Sequence, residues 1–268
     1  MTRNLMTVTL LLLLTAPVPS MVLAAASHGL TPLQGVTQKP EIYVLTDGKP
    51  EGIDIEIPLG ATRAFTIANG YAFWTGTLQP LPLDNPPSTI QWSVTPAGKG
   101  VTVNASGQMS VASNATPGMY TLRAVIPEKT MTREVRVYDL RRNPVVGTWH
   151  EDAQISCGDS RESQPSNRMG ELIFWARGSF TATWRPFETR IDYSGTYKYT
   201  EGSGAITLTV PGDRQNYRPP DISPSGTASI DAKGRLILRG IWLGSPPDYV
   251  RAPGPAAAVK ACGHVFVR

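Results

Sequence analysis

From Glu41 onward the chain alternates apolar and polar residues in short bursts, each closed by a Gly- or Pro-containing turn. GIDIEIPLG sets Ile53, Ile55 and Ile57 against Asp54 and Glu56. DYSGTYKYTEGSGAITLTV and GTASIDAKGRLILRGIWLG, between Asp192 and Gly244, do the same with aromatic, β-branched and leucine residues. A period of two gives a strand one apolar and one solvated face. With 25 Gly and 24 Pro among 268 residues, no long helical period survives between breaks. The pattern predicts an all-β protein of antiparallel sheets, one of them an antiparallel sheet or small barrel over the Asp192–Gly244 region.

The first half opens with the strand EIYVLT (Glu41–Thr46) and an Asp47-Gly48 turn, while Tyr71–Pro87 reads as a loop or irregular edge. Beyond it Trp92, Val94, Val101, Val103, Met109, Val111, Tyr120, Leu122, Ala124, Val135 and Val137 fall at alternate positions, as inward residues of two packed sheets do. Asn104 and Asn114 fit the glycosylation acceptor pattern and read as turn formers. Several short motifs follow in order: Gln91-Trp92-Ser93-Val94, a G-V-T-V strand, S-G-x-M-S-V at Ser106–Val111, and A-T-P-G-x-Y-T-L-R-A at Ala115–Ala124. With a closing strand at Thr132–Tyr138, residues 41–139 resemble a bacterial immunoglobulin-like domain of the group 2 type. The resemblance implies a β-sandwich used as a spacer or adhesive module.

Residues 140–144 (Leu-Arg-Arg-Asn-Pro) form the best linker. The segment 145–268 then opens with Gly147-Thr-Trp149. A G-x-W near the start of a short all-β region, with Asp192-Tyr193 and Tyr197 further on, resembles the lipocalin-like (calycin) barrels. In that family the Trp closes one barrel end. The resemblance implies an eight-stranded barrel able to hold one small apolar ligand. Asn216–Ser225 is a proline-rich departure from the pattern. Residues 140–268 carry 16 basic and 12 acidic residues and 13 of the aromatic side chains. Those aromatics serve either as a packed core or as a ligand surface.

The N-terminus reads as a secretory signal over residues 1–26. It has Arg3, the leucine run Leu10–Leu14, and the small residues Ala24-Ala25-Ala26 before Ser27. Pro17, Pro19 and Ser20 interrupt it, so a transmembrane anchor is not expected. A flexible leader at 27–40 would follow, and the mature chain would be soluble in the periplasm or outside the cell. In such a compartment the two cysteines, Cys157 and Cys262, read as one disulfide. The alternative, a metal or reactive pair with His264, is an incomplete zinc set. The net charge of +4 is mild and scattered, with no sign of nucleic-acid binding.

Chemistry is sparse. G-x-S-x-G, P-loop, Rossmann and H-E-x-x-H patterns are absent from the sequence, and the three His residues stand far apart. No catalytic, metal or cofactor residue is assigned. The expected role is a non-catalytic binding or cell-envelope interaction protein. Its contacts would lie around Trp175, Trp184, Tyr193, Tyr217 and Trp242, with Arg185 and Arg218 as polar partners and a small apolar ligand or an envelope glycan as target. Leu172, Phe174, Phe180, Ala182 and Trp184 can share one strand face, which leaves Trp175 pointing outward. Two alternatives remain open. One is a glycan hydrolase using Glu188 and Asp192, near Asp221 and Asp231; the other is a purely structural protein.

Overall fold

A computed structural model describes residues 41–46, 55–72, 78–81, 87, 89–127, 129–186, 191–212, 218–246 and 261–268. The expected signal and leader, Glu188 and Tyr217 lie outside these residues. The described residues contain strands and no helix, so the protein is all-β. Among them no helix is long and apolar enough to cross a membrane.

Nine strands precede residue 140: β1 (Glu41–Thr46), β2 (Ile55–Pro58), β3 (Thr62–Ala72), β4 (Leu78–Leu81), β5 (Gln91–Thr95), β6 (Val101–Val103), β7 (Gln108–Val111), β8 (Gly118–Ile126) and β9 (Lys129–Tyr138). One sheet runs β1-β3-β7-β6 with β4 on β3, and the other runs β2-β9-β8-β5. Every pairing is antiparallel except β2 with β9, which are parallel. The inward faces share one core of Ile55, Ile57, Phe65, Met109, Leu122, Val135 and neighbours, with Trp92, Val94 and Val103 packed at its margin. Alternation in the sequence thus becomes a two-sheet sandwich. Asn104 does act as a turn former: its Oδ1 accepts from the Ser106 and Gln108 N–H groups and the Ser106 hydroxyl.

Nine further strands follow: β10 (Gly147–Ser156), β11 (Glu162–Ser163), β12 (Glu171–Phe174), β13 (Ser179–Thr183), β14 (Tyr193–Tyr199), β15 (Ala205–Thr209), β16 (Ser225–Ile230), β17 (Leu236–Arg239) and β18 (Ala261–Val267). Apart from β11, which sits on β10, each strand pairs with the next, and β18 returns to β10. The result is a closed barrel of eight strands. Closure rests on β10 serving two neighbours: Gly147–Trp149 pair with β12, and His150–Ser156 pair with β18 across a bulge between Glu151 and Ala153. Close strand approach is met with glycine, since a Cβ at Gly195 would overlap the Thr209 carbonyl. The Cys157–Cys262 disulfide ties the end of β10 to the start of β18.

The two halves belong to one compact unit spanning Pro40–Arg268. Residues 139–143 form a hydrogen-bonded turn between them, with Arg142 and Asn143 N–H both donating to the Asp139 carbonyl. Glu56 of β2 reaches across to the turn between β12 and β13. Its carboxylate accepts the Ala176 N–H (2.5 Å) and the Arg177 N–H (2.9 Å). Two charge-assisted bonds to consecutive amides fix that turn against the sandwich.

Candidate functional site

Among the described residues, the barrel interior and the seam between sandwich and barrel offer opposite prospects for a ligand. The interior is occupied by side chains. Trp149, Phe174, Phe180, Tyr193 and Phe266 are each at most 1 % exposed, and Leu172, Leu236 and Leu238 fill the gaps between them. Phe174 meets Tyr197 edge-on at 4.9 Å, and Phe180 meets Tyr193 edge-on at 5.9 Å. These are favoured ring geometries within a close-packed core. Trp149 closes one end, its indole N–H on the Val145 carbonyl (2.7 Å) and the Arg268 guanidinium 4.7 Å above its ring.

The polar groups inside are occupied as well. At the other end Leu243 N–H donates to His264 Nε2 (3.2 Å), so the ring proton sits on Nδ1 and is donated to Glu151 Oε1 (2.6 Å). Glu151 also accepts the Gln154 amide and the Met169 N–H (2.7 Å), which gives this buried carboxylate three donors. Tyr193 donates to the Leu243 carbonyl, and Tyr197 to the Trp175 carbonyl. Burial pushes the Tyr197 phenol up to about 12, against the lowering effect of the Asn143 amide.

The residues expected to bind do not form one cluster. Trp184 and Tyr193 lie within the packed interior, 5.9 Å apart, beside Leu172, Phe174, Phe180 and Ala182. Trp175 is not on a strand: it begins the turn to β13, half-buried, with the Arg177 guanidinium 5.1 Å from its ring. Trp242 stacks on His264 at the far end (4.9 Å, 8°), its indole N–H on Asp221. Burial alone would raise the Asp221 carboxyl, but the Ser245 and Trp242 donors outweigh it and hold it low. Arg185 and Arg218 are exposed. Asp192 is buried and accepts the Trp184 N–H, so its carboxylate braces the end of β13. Asp231 serves a hairpin, accepting the Lys233 and Arg235 N–H groups. Among the described residues no three His, Cys, Asp or Glu side chains group as a metal site would require.

The seam is different. A cleft of about 630 Å³ opens there, within the size range of small-molecule sites. One wall is the outer face of β9, where Arg136 and Tyr138 alternate with the buried Val135 and Val137, together with Pro117 and Gly118. The other wall is Ala176 and the β14–β15 corner at Tyr199, Thr200 and Glu201. The connecting turn supplies Asp139, Arg142 and Asn143. Two of these ions are neutralised: Arg142 pairs with Glu201 (3.0 Å), and Asp139 with Arg141 (2.9 Å). The Arg141 bonds hold the Asp139 carboxyl below the usual range. Burial, then Glu56, push the Tyr138 phenol up.

Three kinds of group remain unanswered. Arg136 makes no hydrogen bond or ion pair among the described residues, nor do the Tyr138 and Tyr199 hydroxyls. Asn143 donates from Nδ2 to the Tyr197 hydroxyl (3.0 Å), which leaves its buried Oδ1 without a partner. A flipped amide would not help, because Tyr197 already spends its proton on the Trp175 carbonyl. Sequence reasoning missed these residues because they come from separate stretches that each read as turn or strand. The one available signal was the T-R-E-V-R-V-Y alternation, which sets Arg136 and Tyr138 on the face away from Val135 and Val137. No protein-family model matches this chain, and the curated proteins contain no match to it.

Proposed function

We propose that this is an exported, non-catalytic binding protein whose ligand sits in the seam cleft rather than in the barrel. The carrying observation is the contrast between a filled, hydrogen-bond-satisfied barrel interior and a roomy cleft lined by Arg136 and two phenols that have no protein partner among the described residues. Unsatisfied groups lining a concavity are where a ligand gains most on binding. On this reading the sandwich is an immunoglobulin-like module, and the barrel a lipocalin-like one whose interior has become core. Glu56 and the 139–143 turn fix the two so that the cleft is preformed. The signal-like N-terminus and a disulfide using both cysteines support an oxidising, extracytoplasmic location.

The test is a thermal-shift screen of polar and apolar small molecules on the wild type and on Thr200→Trp. Thr200 is exposed at the cleft, and an indole there would obstruct its mouth. Hits should be polar and should stabilise the wild type but not the variant. Apolar hits that stabilise both proteins equally would move the site back to the barrel and refute the proposal.

A further inference from the structure

Resting on the cleft reading, we infer that its ligand is an acidic sugar, with a carboxylate anchored on Arg136 and hydroxyls read by the two tyrosines. The charge balance points to an anion. Arg142 and Asp139 are paired, and the nearest carboxylate across the sheet, Glu56, stands in register with Arg136 but commits both oxygens to backbone N–H groups of 176 and 177. Arg136 is therefore the half-buried guanidinium left over. Its planar fork suits a carboxylate held through two parallel bonds.

A carboxylate alone does not account for the rest. Tyr138 provides a flat apolar ring with a polar tip, and Tyr199 the outer part of a ring that also packs on the barrel core, together suited to the C–H faces and hydroxyls of a pyranose. An acidic peptide would carry the same charge, but peptides in such grooves commonly add to an open strand edge. Neither wall has one. β9 is paired on both sides by β2 and β8, and β14 on both sides by β13 and β15. The recognition available is by side chain, ring and charge, which is the chemistry of a uronic acid.

The experiment is isothermal titration of the full chain. The probes are trimers of galacturonate, mannuronate and glucuronate-containing sugars, their neutral methyl esters, and acidic peptides of equal charge. At least one acidic trimer should bind, and its ester should bind roughly tenfold or more weakly, the loss expected for a charge-assisted pair. Arg136→Ala should lose a similar factor, Arg136→Lys less, and Tyr199→Ala should weaken binding more than Tyr199→Phe. Raised salt should weaken the acidic trimer more than its ester. Unchanged melting temperatures for the Arg136 variants show that folding is intact. If esters bind as well as acids, the acidic assignment is overturned while the cleft stands. If peptides bind and no sugar does, the ligand class is wrong. Binding that survives both Arg136→Ala and Thr200→Trp overturns the cleft itself.

Discussion

The barrel interior and the seam cleft are built from similar residue types and end in opposite states. Both contain tyrosines, and both contain charged groups at half or full burial. Inside the barrel each tyrosine hydroxyl finds a carbonyl, and the Glu151 carboxylate collects three donors. In the cleft, the Arg136 guanidinium and the Tyr138 and Tyr199 hydroxyls have nothing to answer them among the described residues. Abundant aromatic residues therefore do not locate a site; what locates it is the bonding left undone.

The contrast can be broken most severely at the barrel centre. Phe180→Ala should destabilise the protein by about 4 kcal/mol in urea unfolding, because the surrounding rings cannot collapse onto the space. A loss below about 1.5 kcal/mol would mean that the interior has slack enough for a ligand. Glu151→Ala should cost about 3 kcal/mol, since it strands the His264 Nδ1–H and the Met169 N–H in a buried site.

Tyr197 lies where the two regions meet, and it gives a pH signature. Its folded value of about 12 lies above the ordinary phenol value of about 10, burial being the main cause. Between those values the unfolded chain has released the proton while the folded chain keeps it. The unfolded state then binds fewer protons, so stability falls as pH rises through this window and is unaffected below it. The expected loss is about 2 kcal/mol by pH 12, and Tyr197→Phe should remove that part of the slope. Absorbance at the phenolate band should show late-titrating tyrosines, and Tyr197→Phe should remove one of them. At the cleft the expected stability effects are smallest. Arg136→Ala should change unfolding free energy by less than about 0.5 kcal/mol, as for a surface residue without partners. A larger loss would show a structural task for Arg136.

Much of the fold was legible because strand alternation has a simple cause, one wet face and one dry face. Ile55 and Ile57, Val101 and Met109, and Leu122 and Ala124 announce their inward positions, and the two cysteines announce their bond. Trp175 misled because F-W-A-R-G-S-F reads as continuous strand. In fact Trp175 N–H pairs with the Ser179 carbonyl around an Ala-Arg-Gly turn, where Gly178 takes a φ of 88°. The eight-stranded barrel was expected from the G-x-W resemblance, but the way it closes was not readable, since it depends on β10 dividing its pairing between β12 and β18 across a bulge. The cleft was unreadable for a related reason. Arg136, Asn143 and Tyr199 are spread over the chain, and only the Glu56 clasp and the 139–143 turn bring their elements to one place.

The most direct test is amide-resolved nuclear magnetic resonance of the chain during titration with the acidic trimer that binds best. The account predicts shifts at Gly118, Arg136, Tyr138, Tyr199 and Thr200, with Phe180, Leu208 and Leu238 unmoved. Shifts concentrated at those three barrel residues, with a silent cleft, would contradict it.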